Sequence, residues 1–565
     1  MAALCDHGRM FIRLSKTRDT HYVRLLESYR DENGAPRHRQ IARLGRLDDF
    51  GEKGQQLLDS LNRLLGHGES AGSVEFEAAR SVGGTWAMDQ LWRQLGLGEA
   101  ISRAVRSAKR TYDPAEAMRI MVFNRLCDPS SKLGVLRWLE EAVVPGADVA
   151  SLSHQQLLRA MDAVEKSLDR LRDALAEQIK PLLDQELTVA FYDLTTIRVH
   201  GEAQVEGDIR QYGLNKELCG GIARQYMLAV VQSECGLPLD FAVFEGNQSE
   251  VKTLVPVLRD TFSRYRIKRA VVVADRGLLS LDNLAELEGV KLQGDAQLQY
   301  IVAVPAARYA EMDAVLAGMA FDDTEPSIRS ARFAEHRLVV ARDPDTAARQ
   351  SEQRQQKLDE LCAWADARAA KLDRQDDGQS GRGRKATDRG AYQQLHKRIV
   401  EAKLSRYIGA DLQADRFSYS LNSEAIEAAG RRDGTLCVVT NIPPEQLDDA
   451  AVIARYKSLA DIETGFRVLK SELEIAPVHH RLPRRLKAHA AICFIALLMH
   501  RVMRQRLKKA GSAFSVAGAI AQLNRLQQHH AWINGVGYTG VGKLSEAQLD
   551  LFRDLGLKKP PKTVL

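Results

Sequence analysis

Apolar side chains recur along this chain in two rhythms, and each predicts a different element. Short runs rich in β-branched and aromatic residues occupy 187–197, 225–233 (Gln-Tyr-Met-Leu-Ala-Val-Val-Gln-Ser), 237–244, 270–275 and 299–304. Runs of that length and composition predict buried strands. Residues 249–265 instead repeat apolar positions at helical spacing, with Ser249 placed to cap them. Helical patterning fills 84–183, and 52–66 also reads as a helix. Within it Asp113-Pro114-Ala115-Glu116 predicts a capping box with proline in the first turn, and Ser130 or Ser131 caps a second helix after Asp128-Pro129. Two capped helices across a short turn suit either a helix-turn-helix or an ordinary bundle. Residues 10–47 alternate as strands around a turn at Asn33-Gly34. Residues 345–405 are charged and helix-prone around an exposed basic loop at 374–385, and 416–421 and 435–440 are strand-like. Trp364 fits a helix interface.

Three strands, a helix and two further strands between 187 and 304 is the order of a ribonuclease H-like core. The fold class predicted is α/β: a ribonuclease H-like mixed-sheet catalytic core with an inserted subdomain, plus a helical N-terminal domain preceded by a small β-rich segment. Three acids fit that frame. Asp193 and Asp275 close apolar runs, in Val-Ala-Phe-Tyr-Asp and Val-Val-Val-Ala-Asp. Glu463 lies in a helical pattern whose apolar stripe is Ile462, Phe466 and Leu469. An aspartate at a strand end is by itself more often a turn or cap residue. Two strand-end carboxylates met by one from a helix suit two divalent ions about 4 Å apart, the arrangement for in-line displacement at a phosphodiester. Asp275 and Glu463 are 188 positions apart, too many for one connection, so a subdomain is inserted between them. The expected domains are 1–50, β-rich and basic; 51–183, helical and DNA-binding; 184–305 with 435–510, the catalytic core; 306–434, the insertion; and 511–565, a C-terminal tail.

Charge sharpens the substrate. The net charge is only +6, from 80 basic and 74 acidic residues, so basic character matters only where it is concentrated. Residues 481–509 carry Arg481, Arg484, Arg485, Lys487, Arg501, Arg504, Arg506, Lys508 and Lys509 and no acid. This cluster suits phosphates, the alternative being the soluble face of an amphipathic helix. The arginine-rich 10–47 segment suits a DNA-contacting hairpin, though small basic sheets often simply face solvent. Seven cysteines without a Cys-x-x-Cys pattern imply reduced thiols and argue against zinc. The apolar run 490–499 is half a membrane span, and no secretory signal is present. A soluble, cytoplasmic protein is expected, with no membrane partner. No Walker-type loop supports a nucleotide enzyme.

The residues also match a family. The chain resembles the DDE transposases of bacterial insertion sequences, in the branch whose last acid lies in a Tyr–Arg–Glu–Lys signature. Tyr456, Glu463 and Lys470 hold three of its positions, while Leu459 stands where the arginine is expected. Further matches are Tyr-Gly-Leu-Asn-Lys-Glu (212–217), Gly-Leu-Pro-Leu to Gly-Asn-Gln-Ser-Glu (236–250), Ala-Asp-Arg-Gly (274–277) and Asn-Arg-Leu-Cys-Asp-Pro-Ser-Ser-Lys (124–132). The resemblance implies two Mg²⁺ ions, with Mn²⁺ able to substitute, held by Asp193, Asp275 and Glu463. It implies that Tyr456 and Lys470 position DNA phosphates, with Arg481, Arg484, Arg485 and Lys487 beside them. Its partners would be the element's terminal inverted repeats and target DNA, both double-stranded, held by a homodimer in the synaptic complex at the nucleoid. A ribonuclease H-like nuclease or resolvase that cuts without joining fits the acids equally, and a silent DNA-binding relic is a third reading.

Overall fold

The structure is a computed structural model. It describes residues 10–17, 20–31, 34–47, 56, 60, 74–106, 112–149, 152–183, 188–201, 208–214, 221–249, 252–265, 270–274, 281–290, 292, 297–319, 321, 324–379, 385–458, 465–533 and 536–564. Packing divides the chain into two units, Met1–Ala79 with Gln528–Gly540, and Arg80–Gln527 with Val541–Leu565.

In the first unit, strands Met10–Thr17, Thr20–Arg30 and Pro36–Arg46 form an antiparallel meander. Alternation gives it one apolar side, with Ile12 opposite Leu25 and Leu14 opposite Val23. A second three-stranded sheet orders Val536–Val541, Gln527–Ile533 and Val74–Ser81. Two of these strands lie in the segment read above as a tail. The helix expected at 52–66 falls almost wholly outside the described residues.

The second unit is built on a nine-stranded mixed sheet. Its centre is Thr188–Arg198, with Ile222–Ser233 antiparallel on one side and Ala270–Ala274 parallel on the other. Pro238–Glu245 pairs beyond Ile222–Ser233, and Gln299–Ala303 lies parallel beyond Ala270–Ala274. This is the ribonuclease H-like arrangement, and the five predicted strands fall within a few residues of the observed ones. The Ala270–Ala274 strand is buried at every position, which is why its sequence is an unbroken apolar run. The predicted helix begins later than expected, at Leu254, and Ser249 accepts the Lys252 amide through its main-chain carbonyl at 3.1 Å.

The sheet continues past residue 305. Thr435–Thr440 pairs antiparallel with Gln299–Ala303, followed by His336–Arg342 and then Ser327–Phe333. Between His336–Arg342 and Thr435–Thr440 lie helices Pro344–Asp376 and Asp388–Ala402, the hairpin Ile408–Gln413/Arg416–Leu421 and helix Ser423–Arg432. These share a small core of their own around Leu358, Leu361, Leu395 and Ile399. Trp364 packs at its edge with Arg398 and Arg368 over the ring, at 4.8 and 5.2 Å.

Helix Pro483–Ala510 is the spine of the unit. Pro483 starts it without losing a useful amide, and Gly511, at φ 66°, ends it in the left-handed region. It is long and apolar enough to cross a membrane, but 94% of its most apolar window is buried inside the protein. Its apolar surface therefore faces other elements, among them helices His154–Glu165 and Pro114–Cys127 and strand Pro238–Glu245. The five described cysteines are free thiols.

Candidate active site

Asp193 lies in the middle of the central strand and is half-buried, and its Oδ1 accepts the Leu194 amide at 2.7 Å. It sits opposite Val230, as Phe191 sits opposite Gln232, so these four side chains share one face of the sheet. The opposite face carries Tyr192, fully buried, whose hydroxyl lies 2.7 Å from Thr253 Oγ1. Tyr192 is paired with Ala274 across the parallel ladder, so each strand has its predicted acid as the next residue in sequence. Asp275 lies outside the described residues, as does Glu463 within 459–464.

The described residues on either side of 459–464 carry the geometry further. Tyr456, on helix Asp449–Lys457, packs against the cluster of Phe191, Val271, Val273 and Ile301, and thus on the Asp193 face. Gly465 comes against Gln232, since a Cβ there would lie 2.9 Å from Gln232 Nε2 and 2.9 Å from Arg501 Nη2. Tyr456 and Gly465 thus both lie against the Asp193 face, beside Phe191 and Gln232 respectively. Lys470 follows on a half-buried turn of π-helix, Val468–Glu472, whose Val468 and Leu469 are buried. Among the described residues, no three His, Cys, Asp or Glu side chains are grouped to hold a metal.

The basic cluster divides on inspection. Arg484 and Arg485 both bind Asp162 of helix His154–Glu165, each with Nε 2.9 Å from Oδ1. Burial works to raise the Asp162 carboxyl, but hydrogen bonds from Arg485 and Arg484 overcome it and hold the group below its usual range. Arg501 is buried, and Arg506 donates to Gln94 Oε1 at 2.7 Å and to the Leu555 carbonyl at 2.8 Å. Arg481 is exposed and Lys487 half-buried.

The Asn124–Lys132 segment serves an anchoring role that its sequence does not announce. Asp113 caps helix Pro114–Cys127 through Ala115 N at 2.8 Å, but the expected capping box is replaced, because Glu116 reaches forward to Arg119 at 2.6 Å. Twelve of the 14 residues of that helix are buried, so it offers no free side to DNA. Ser131 caps the next helix through Gly134 N at 3.0 Å. Arg125 donates to the carbonyls of Ser130 at 2.6 Å and Glu474 at 3.1 Å, fixing the chain just beyond Lys470. A second anchor is Asp208, whose Oδ2 accepts from Arg210 and Arg224 at 2.7 Å each, all three buried. It steadies the end of the acid-bearing strand, where Val199 N bonds the Arg224 carbonyl at 3.0 Å. The alternation Asp208-Ile-Arg210 was its only sequence signal.

Lys132 is buried beside Arg125, and its Nζ makes no hydrogen bond among the described residues. Burial pushes it down to about 7, with Arg125 adding to the effect. Its folded pKa lies below the unfolded one, so between pH 7 and 10.5 the unfolded chain binds more protons and wild-type stability rises with pH. Lys132→Met is expected to raise the thermal midpoint most at pH 7, with the gain shrinking toward pH 10. Melting curves of both proteins across that range check this, and a gain independent of pH would contradict it.

Comparison with known proteins gives the following. A model of the transposase DDE domain matches residues 184–499. A model of the IS1634 family transposase N-terminal domain matches residues 12–71. No curated protein matches. Among solved structures, the piggyBac transposase synaptic complex with hairpin DNA aligns at 9% identity and TM-score 0.36, over 78% of this chain and 79% of that one.

Proposed function

The chain belongs to the DDE-domain transposases, its family model covering more than half of its length, and from that premise we propose that it cuts DNA at the ends of its insertion sequence and joins the 3′ hydroxyls to target DNA. The observation that supports the assignment of residues is the packing of Tyr456 and Gly465 against the face that bears Asp193. Asp193, Asp275 and Glu463 would hold two Mg²⁺ ions, or Mn²⁺ in their place. The one acid described fits, being a half-buried carboxylate on a rigid central strand with one oxygen oriented by the Leu194 amide. When bound, such ions stabilise the charge that builds on the phosphate and the leaving 3′ oxygen and lower the pKa of attacking water.

The remaining roles belong to the chain. Lys470 presents a point charge to a phosphate near the cut, and Tyr456 buttresses helix Asp449–Lys457 against the sheet while its hydroxyl end meets DNA. Arg481 and Lys487 extend the basic surface. Arg484 and Arg485 contribute to the field there while bound to Asp162. Synapsis of two ends requires two protomers, so the working form on DNA is a homodimer at the nucleoid. A nuclease that stops after cutting is the second reading, since the acids alone fit it.

The reading is tested with duplex DNA carrying the inverted repeats that flank the gene. Cuts at the repeat boundary are expected with Mg²⁺ and not with EDTA. Cutting that survives the chelator would contradict the assignment of the acids.

A further inference from the structure

The N-terminal meander carries an arrangement that folding alone disfavours. Arg13 is the direct cross-strand partner of Arg24, and Arg24 of Arg43, so three arginines stand in one row across three strands. Like charges directly opposite each other destabilise a sheet. Among the described residues no carboxylate pairs with any of the three, whereas the neighbouring Arg37 and Arg39 are bound to Asp31 at 2.9 Å and Glu27 at 2.6 Å. Arg13 and Arg43 are exposed. Arg24 is half-buried; it donates to Gln40 at 3.1 Å, and its Nε has no hydrogen-bond partner among the described residues. Arg43 lies over the Tyr22 ring at 3.7 Å, which braces it on the same face. Tyr22 is in turn opposite Arg46, another exposed arginine.

We propose that the Arg13–Arg24–Arg43 row is a phosphate-binding ridge that grips the backbone of double-stranded DNA without reading its bases. The inference rests on the transposase reading and adds to it the surface that supplies sequence-independent affinity. The chemistry favours phosphates over base edges. Directly opposed side chains stand about 5 Å apart, so the row concentrates three charges within a patch the size of a few phosphodiesters. Arginine's planar fork binds such oxygens bidentately. The repulsion within the row is relieved only when anions enter it.

The test is a salt titration of duplex binding by the full-length protein. Wild type is compared with Arg13→Gln/Arg24→Gln/Arg43→Gln and with Arg37→Gln/Arg39→Gln. Three lost phosphate contacts should lower the slope of log K against log salt by about 2.7. Between 50 and 200 mM salt, wild type should then lose about 40-fold more affinity than the triple variant. The loss should be the same for terminal-repeat DNA and for an unrelated duplex. The control variant should keep the wild-type slope. The triple variant should melt at or above the wild-type midpoint, which shows that the sheet is intact. An unchanged slope in the folded triple variant overturns the ridge and leaves the transposase reading standing, as does a loss confined to repeat DNA. Wild type without salt-dependent duplex binding overturns both.

Discussion

Asp193→Asn should fold like wild type and lose cleavage by about a thousandfold or more. The substitution keeps the shape of the side chain and an oxygen to accept the Leu194 amide, now made at 2.7 Å, so the central strand has no reason to move. What it removes is the negative charge with which Asp193 would hold the proposed metal ions. A charge interaction of several kcal/mol in such a site, at about 1.4 kcal/mol per factor of ten, gives the stated loss. Thermal melting and single-turnover cutting of repeat DNA, measured on the same preparation, separate chemistry from folding. Cutting within tenfold of wild type would remove Asp193 from the site.

The largest effect on stability is expected at Asp240, an acid two strands away and outside the proposed site. Its buried carboxylate accepts from Arg172 Nε and Nη2 at 2.7 Å each and from the Thr261 hydroxyl at 3.2 Å, with Arg264 Nε at 3.7 Å. Arg172 belongs to helix Leu168–Ile179, so this contact fastens the helical region to the catalytic sheet. Asp240→Ala strips two largely buried guanidiniums of their buried counter-charge and leaves them the more exposed Asp260 and Asp169; losing one partner costs about 3–5 kcal/mol in comparable buried pairs. Arg172 keeps Asp260 at 2.7 Å, which places the expected loss toward the lower end. Asp240→Leu combined with Arg172→Met should recover part of it, because an apolar pair demands no counter-charge. Differential scanning calorimetry decides the matter, and a wild-type midpoint for Asp240→Ala would show that the network carries no load.

The catalytic sheet was legible because its strands are buried on both faces, and such strands advertise themselves as apolar runs, as in 270–275 and 299–304. Ser327–Phe333 and His336–Arg342 were not legible. The first scatters serine and arginine among its apolar residues and has only exposed or half-buried positions, so it carries no run to read. Gln527–Ile533, with its glutamines and histidines, was hidden for the same reason. Local signals gave the caps at Asp113 and Ser131, yet Glu116 answers to Arg119 rather than to its own helix start. Long-range charge was the least readable. Residues 481–509 contain no acid, but Asp162, more than 300 positions earlier, arrives in space to bind Arg484 and Arg485. The same limit hid Arg125, whose carbonyl partner at Glu474 is 349 positions away. The acids were read from the order of elements and the matched motifs. Of the three acids only Asp193 is described, on the face against which Tyr456 and Gly465 pack.

The central claim is that one site both cuts and joins. The most direct measurement supplies a pre-cut repeat end bearing a 3′ hydroxyl, a supercoiled target plasmid and Mg²⁺, and follows covalent transfer of the labelled strand. The account predicts joined product with wild type and none with Asp193→Asn, with EDTA, or with a 3′-deoxy end. Efficient metal-dependent cutting of intact repeats by a protein that never forms joined product would contradict it and leave a nuclease.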